Sequence, residues 1–376
     1  MTFRAEAMRF APVREKAETA ENVFCMLRRE LGILAPYAAD GSVSEIMVNG
    51  TDAIFVERNG RIAKLPLTFG NAYEIEEIAR RLAAKVHREI NELHPILDAR
   101  MEDGSRVHCV YKNVAVGGPV LNIRRFPERT VSAEDLIGNG TASREAMDFL
   151  RSAVEAGLNI FVSGGTSSGK TTFLNVLCGF VPKRERVIVI EDAAELRIRG
   201  LENVVRMEIK EANSREKGAV TMADLIRSSL RMRPDRIIVG EVRGGEVVDM
   251  IQAMNTGHDG SLSTGHGNSP EGMLARLEAM YLSAQRYPFE AIRRQIADAI
   301  DLFVHLGRFS DGSRRILEIV EITGLTDNEY ELNKIFQYKF NKGIEKTGNA
   351  LRRTGKFERR GIVPGGGIAC EQGSNA

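Results

Sequence analysis

Residues 164–171 read GGTSSGKT, which places Gly164, Gly169, Lys170 and Thr171 at the fixed positions of a G-x-x-x-x-G-K-[ST] loop. Glycines let such a loop curl until successive backbone N–H groups point inward, and the helix that follows aims its positive end at the same spot. The chemistry expected is phosphate binding. Lys170 would bridge the β- and γ-phosphates of ATP and the Thr171 hydroxyl would meet Mg2+. Gly165, Thr166, Ser167 and Ser168 span the loop and Thr172 follows it, so all of 164–172 are read as nucleotide contacts.

A phosphate loop becomes a hydrolase only when carboxylates manage the metal and the attacking water. RIIVGEVRG ends an apolar run at Glu241, the expected water-polarising carboxylate, but Gly240 stands where such loops usually carry a preceding aspartate. One expected magnesium ligand is therefore missing. VIVIEDAAEL supplies Glu191, Asp192 and Glu195 after another apolar run. Glu191 and Asp192, with Glu241, are read as metal ligands through water, and Glu191 and Glu195 as catalytic assistants. Their alternative is the opening turn of a helix, where acids favour the positive dipole.

TGHDGSLSTGHG, residues 256–267, sets His258 and His266 among Gly, Ser and Thr. A zinc site would need further ligands, and only Asp259 is near, with no cysteine in the segment. If SLST is a strand beside the phosphate loop, His266 sits at its end, where open α/β sheets meet ligands. It is expected to donate to the γ-phosphate and lose that bond after hydrolysis, with His258 further away.

These groups need a sheet to hold them. NIFVSG, RVIVIED, DRIIVGE and SLSTGH read as strands alternating with helices near 222–232, near 245–254 and over SPEGMLARLEAMYLSA, with Ser269 as N-cap and Pro270 at the first position. Alternation of this kind predicts a largely parallel sheet covered on both faces, over 146–340, closing with a hairpin at Asp311-Gly312. Before it, EIMVNG, AIFVERNGRIAKL with an Asn59-Gly60 turn, DGSRVHCVY and GGPVLNIRRF read as short strands. YEIEEIARRLAAKVHREINEL between them carries Ile75, Ile78, Leu82, Val86 and Ile90 at helical spacing. The predicted organisation is a helical extension over 1–40, an α+β domain over 41–130, a linker over 131–145, the α/β domain and a flexible basic tail over 341–376.

The 376 residues carry Lys+Arg 52 against Asp+Glu 51, a net charge of +1 that supplies no bulk field for nucleic acid or anionic lipid. The 4 cysteines, Cys25, Cys109, Cys178 and Cys370, lack CxxC spacing, so they imply neither zinc nor a disulfide framework. The N-terminus is broken by charges and does not read as a signal peptide. No run approaches the roughly 20 apolar residues of a spanning helix. A cytoplasmic protein, peripheral at any membrane it serves, is the expectation.

GGTSSGKTT, VIVIEDAAEL, LIRSSLRMRPDRIIVGEVRGGEVVDMIQAMNTGHDGSLSTGHGNSP and AIRRQIADAIDLFVHLGRFSDGSRRILEI, in that order, resemble the traffic ATPases of type II/IV secretion and pilus assembly, with their Walker A, Asp box, Walker B and His box. Within them the chain is most similar to the CpaF-type branch that serves Tad pili. The resemblance spans about residues 41–340 and lacks the tetracysteine module of type II secretion ATPases. It implies a RecA-like P-loop domain preceded by a smaller α+β domain, assembled as a homohexamer that closes on ATP and Mg2+. It implies docking on an inner-membrane platform, with pilin or secreted protein as indirect cargo. It also carries over Arg100, Arg106 and Arg124, in LDARMEDGSRVHCV and LNIRRF, as N-terminal-domain arginines that reach the phosphates.

Two other functions compete. A RecA-like nucleic-acid translocase would favour aromatic stacking platforms, and the chain has 6% aromatics and no Trp, so no specific nucleic acid is expected. An ATP-binding assembly scaffold without turnover is motivated by Gly240.

Overall fold

The computed structural model describes residues 27–58, 60–101, 104–125, 130–198, 200–210 and 218–365. Its contacts divide the chain into two units, Met1–Arg129 and Thr130–Ala376. Most of the expected extension, Asn59 of the hairpin turn, Cys25 and Cys370 lie outside the described residues.

In the first unit, period-two alternation builds an antiparallel sheet with one buried face. Its elements are α1 (Ala35–Ala39), β1 (Val43–Asn49), β2 (Ile54–Arg58), β3 (Arg61–Lys64), α2 (Ala72–Lys85), β4 (Ile96–Arg100), β5 (Arg106–Val110) and β6 (Val120–Arg124). The strand order is β3-β2-β1-β6-β5-β4. Ile46, Val48, Val107, Cys109, Leu121 and Ile123 turn inward against Ile75, Ile78 and Leu82 of α2, which Asn71 caps by accepting from the Glu74 N–H. The helix is shorter than its apolar spacing predicts. It stops at Lys85, because the chain turns through His87 at φ 55° and the Arg88 N–H bonds back to the Ala83 carbonyl. Ile90 is buried all the same, from the loop. Leu31, Leu34 and Ala38 join this core, so the described end of the expected extension packs as part of the first unit.

The second unit is a nine-stranded sheet ordered β15-β14-β13-β12-β7-β11-β10-β8-β9. β12 (Leu302–Arg308), β7 (Ile160–Gly164), β11 (Leu262–His266), β10 (Arg236–Val239), β8 (Val187–Glu191) and β9 (Val204–Glu208) run parallel. β13 (Arg314–Thr326), β14 (Glu329–Lys339) and β15 (Gly343–Lys346) extend the sheet antiparallel. β7, β8 and β10 are buried at every position, as strands covered on both faces must be. One face carries α3 (Ala133–Gly138), α4 (Arg144–Ala156) and α5 (Lys170–Cys178). The other carries α6 (Met222–Ser229), α7 (Val247–Asn255), α8 (Pro270–Ala284) and α9 (Phe289–Ala299). Ser269 caps α8 with Pro270 at its first position, and the hairpin turns at Asp311-Gly312, as the spacing predicts.

Two expectations are corrected here. The stretch read as a linker carries α3 behind a Ser132/Asp135 capping box, and its Ala133, Leu136 and Ala142 enter the core of the second unit. The basic stretch read as a flexible tail from residue 341 forms β15 and then α10 (Gly355–Arg360). Phe357 is 1% exposed in the core, Lys356 lies 2.7 Å from both Asp259 and Asp301, and Arg360 lies 2.6 Å from Glu185. Basic composition reads as a solvated tail only while the acids that neutralise it, distant in sequence, are out of view.

Candidate nucleotide site

The C-terminal ends of β7, β11, β10 and β8 lie side by side, and each delivers one of the groups singled out in the sequence. β7 runs into the phosphate loop, where Ser167 at φ 59° and Gly169 at φ 92° supply the left-handed turns that curl the backbone. Gly164 has no room for a side chain: a Cβ would stand 2.5 Å from Ser168 Oγ and 2.6 Å from the Leu306 carbonyl. α5 starts at Lys170 without a side-chain cap, which leaves its first N–H groups facing the loop.

Lys170 is 7% exposed and its ammonium donates to the carbonyls of Gly164 (3.2 Å) and Gly165 (2.9 Å). Burial, with help from Arg243, holds it below the usual lysine range while Glu241 opposes the shift. Beside it, His266 Nδ1 is 3.3 Å from Lys170 Nζ, and His266 Nε2 is 2.8 Å from Glu241 Oε1. Burial and the Lys170 charge hold the imidazole below its ordinary value, so it is neutral at neutral pH and Nε2–H points to the carboxylate side. Arg243 completes the row, 2.7 Å from Glu241 and 2.9 Å from Asp192. Burial alone would raise Glu241, but the hydrogen bond and charge of Arg243, then His266 and Lys170, bring it below the usual range, so it is ionised.

Glu191 differs from Glu241 in kind. It is 3% exposed at the end of β8, accepts the N–H groups of Glu195 and Leu196 at 2.9 Å, and burial pushes its carboxyl up to about 7. The acidic segment after β8 is a loop rather than the first turn of a helix, and Glu191 is what folds it. Gly240 acquires a reason: a Cβ there would stand 3.0 Å from Glu191 Cγ, so the carboxylate arriving from β8 occupies the space of the absent aspartate.

His258 and His266 lie at opposite ends of β11. His266 ends β11 beside Lys170, whereas His258 precedes the strand and its Nδ1 lies 3.1 Å from the Ala253 carbonyl. Among the described residues no group of His, Cys, Asp and Glu is arranged to hold a metal ion by itself.

Sequence reading missed several groups around the loop. Arg314, across the hairpin from β12, donates to the Ser167 carbonyl at 3.0 Å and packs its Cδ over Gly169. A cavity of about 220 Å³ opens next to Ser168 and Thr172, walled by Val131, Leu136, Phe173 and Leu306 with Thr141 at its side. Its apolar walls and position suit a nucleoside. No motif marks these residues, since they come from four elements joined only by the fold.

The magnesium nucleotide fits what is left unpaired. Ser168 Oγ is buried with no hydrogen-bond partner, Glu241 Oε1 has only the His266 ring at 2.8 Å, and Lys170 donates to the carbonyls of its own loop. A phosphate chain would accept from Lys170 and Ser168, and a hydrated cation would answer Glu241 and the half-buried Thr171 hydroxyl.

In the first unit, Arg100, Arg106 and Arg124 stand directly opposite one another across β4, β5 and β6, with Glu45 of β1 next in the row. Directly opposed residues share a face, so the three cations form one band. Arg106 is 3.2 Å from Asp98, and Glu45, raised by burial, is drawn back by Arg124.

Residues 28–357 match the family model described as type II/IV secretion system protein. A putative conjugal transfer protein of Mycobacterium tuberculosis is 34% identical over 294 residues, 77% of this chain and 83% of the relative. The type IV secretion system protein PtlH of Bordetella pertussis is 33% identical over 324 residues, 78% of this chain and 95% of the relative. Among solved structures, the ATPase DotB of Yersinia pseudotuberculosis superposes with a TM-score of 0.57 at 19% identity, over 85% of this chain and 83% of that one, a likeness of fold.

Proposed function

The chain belongs to the type II/IV secretion system protein family, and from that premise we propose that it is the ATP-hydrolysing motor of a secretion or pilus-assembly apparatus. The observation that carries the chemistry is the row Lys170, His266, Glu241, Arg243 and Asp192 at the ends of parallel strands beside a curled phosphate loop. The finer reading is a homohexamer of the Tad pilus branch, docked at the cytoplasmic side of an inner-membrane platform. ATP-driven domain closure there would move pilin or secreted protein. Support for it is the ordered set of motifs and the absence of any described helix long and apolar enough to cross a membrane.

In this reading Lys170 leaves the carbonyls of Gly164 and Gly165 for the β- and γ-phosphates, and Ser168 donates its unpaired hydroxyl. Thr171 would hold the cation through its hydroxyl, with Glu191, Asp192 and Glu241 reaching it through water. Bound magnesium neutralises phosphate charge and lends the site Lewis acidity. Glu241, ionised and freed at Oε1 when His266 turns to the γ-phosphate, orients and polarises the attacking water. Glu191, whose carboxyl changes protonation near neutrality, is suited to take up the proton released, with Glu195 beside it. His266 reads the γ-phosphate through Nε2–H, and in its absence turns that donor to Glu241. The band of Arg100, Arg106 and Arg124 supplies cations for the phosphates of a closed assembly.

Magnesium-dependent ATP turnover, measured with and without single-stranded DNA and with Lys170→Ala as the blank, tests the proposal. Turnover above the blank and unchanged by DNA is expected. Strong stimulation by DNA would transfer the chain to the nucleic-acid translocases, a reading favoured by the conjugal-transfer relative, and turnover no higher than the blank would leave the assembly scaffold.

A further inference from the structure

One rung of the second unit's sheet is polar where its neighbours are apolar. Gly265 of β11, Ser163 of β7, His305 of β12 and Glu318 of β13 stand in register across four adjacent strands. Ser163 is 0% and His305 5% exposed, and Ser163 Oγ lies 2.9 Å from His305 Nδ1. The rungs on either side put Val162, Val304 and Leu306 into the opposite core, and the tilted rings of Phe161 and Phe303 pack together two residues earlier on the same face. A Ser–His pair in such surroundings costs desolvation that a Val–Phe pair would not, so packing alone gives no reason for it.

Its position gives one. Ser163 immediately precedes Gly164 of the phosphate loop, and Gly265 immediately precedes His266. The His305 ring also meets the backbone of Asn268, in the short loop that carries the chain from His266 into α8. Burial holds the ring below its ordinary value, against the pull of Glu318, and a neutral imidazole has one donor and one acceptor. With its N–H turned toward the Asn268 backbone, Nδ1 accepts the Ser163 hydroxyl. Close approach tightens the same junction: the Gly267 N–H donates to the Gly164 carbonyl at 3.3 Å, and a Cβ on Gly267 would stand 2.9 Å from Met273 Cβ of α8.

The geometry points to His305 as a positioning residue for ATP hydrolysis: through Ser163 on one side and Asn268 on the other, it fixes the His266 loop and the start of α8 to the phosphate-loop strand. The ring itself stays clear of the nucleotide. Loss of the γ-phosphate contact at His266 then displaces α8 as a body instead of being absorbed in the loop. The inference rests on the reading of His266 as the phosphate sensor.

The test uses the full chain and compares kcat and KM for Mg-ATP in wild type, His305→Gln, His305→Leu, Ser163→Ala and His266→Ala. Deuterium uptake over residues 262–272, with and without ADP, is read in parallel. Leucine is expected to lower kcat about tenfold with KM held within about twofold, and to erase the ADP-dependent change in uptake. Glutamine, which keeps a donor and an acceptor, is expected to restore most of both. Ser163→Ala removes one hydroxyl and should show the same split more weakly, which keeps the test alive if leucine does not fold. Equal loss in glutamine and leucine, or wild-type kcat and uptake in leucine and alanine beside an impaired His266→Ala, would overturn the inference. A His266→Ala protein that turns over as wild type would instead remove the sensor reading, and the inference with it.

Discussion

Glu191 is a carboxyl whose titration the fold moves up toward neutral pH. Burial is the main cause, countered by two backbone N–H groups, and the carboxyl titrates at about 7 instead of 4.5. The sign follows from linkage. The folded state holds a proton that the unfolded chain has released, so stability falls as pH rises from about 4.5 to about 7 and is level above. The size is about 3 kcal/mol at the upper end. Glu191→Gln keeps an acceptor for the Glu195 and Leu196 N–H groups and removes the titration. Urea unfolding between pH 5 and 8 should show wild type losing stability relative to the variant, and parallel profiles would contradict the assignment. At this scale Lys170, Thr171, Glu241 and His266 were legible because a short motif fixes their types and spacing. Gly240 was legible only as a gap. That Glu191 fills it depends on β8 and β10 being neighbours, which no local pattern states.

The strands around the phosphate loop were readable as elements because each is a short apolar run bounded by turn residues, and the helices between them carry caps or period. β4, β9 and the outer strands β14 and β15 were not. Half-exposed positions dilute their alternation, and Ile96–Arg100 and Val204–Glu208 each mix charge with aliphatics. α10 was hidden more thoroughly, since a six-residue helix with one Gly, one Phe and four charged residues has no apolar stripe. Its anchor is the single Phe357 side chain, surrounded by ion pairs from Lys356 and Arg360. Replacing a fully buried phenylalanine by alanine costs about 3–5 kcal/mol. Phe357→Ala is therefore expected to lower the thermal midpoint of the second unit and to expose 350–362 to proteolysis. A midpoint and a digestion pattern equal to wild type would show that this segment is held by its charges alone.

On the scale of the molecule, the chain divides into a sheet that bears a cationic band and a sheet whose strand ends bear the phosphate loop and its acids. The order of the motifs made the second unit and its family legible. The band did not show in the sequence, because Arg100, Arg106 and Arg124 become one feature only when β4, β5 and β6 pair in register. The cavity beside the phosphate loop was hidden for the same reason, being walled by residues from α3, α5 and the β12–β13 hairpin region. All of these features matter only if the molecule turns ATP over with Glu241 as the carboxylate that commands the water. The direct test is single-turnover and steady-state hydrolysis of Mg-ATP by Glu241→Gln, with nucleotide affinity measured on the same protein. The account predicts a fall in kcat of about a hundredfold or more with affinity retained within a few-fold. A variant that hydrolyses ATP as fast as wild type would contradict it.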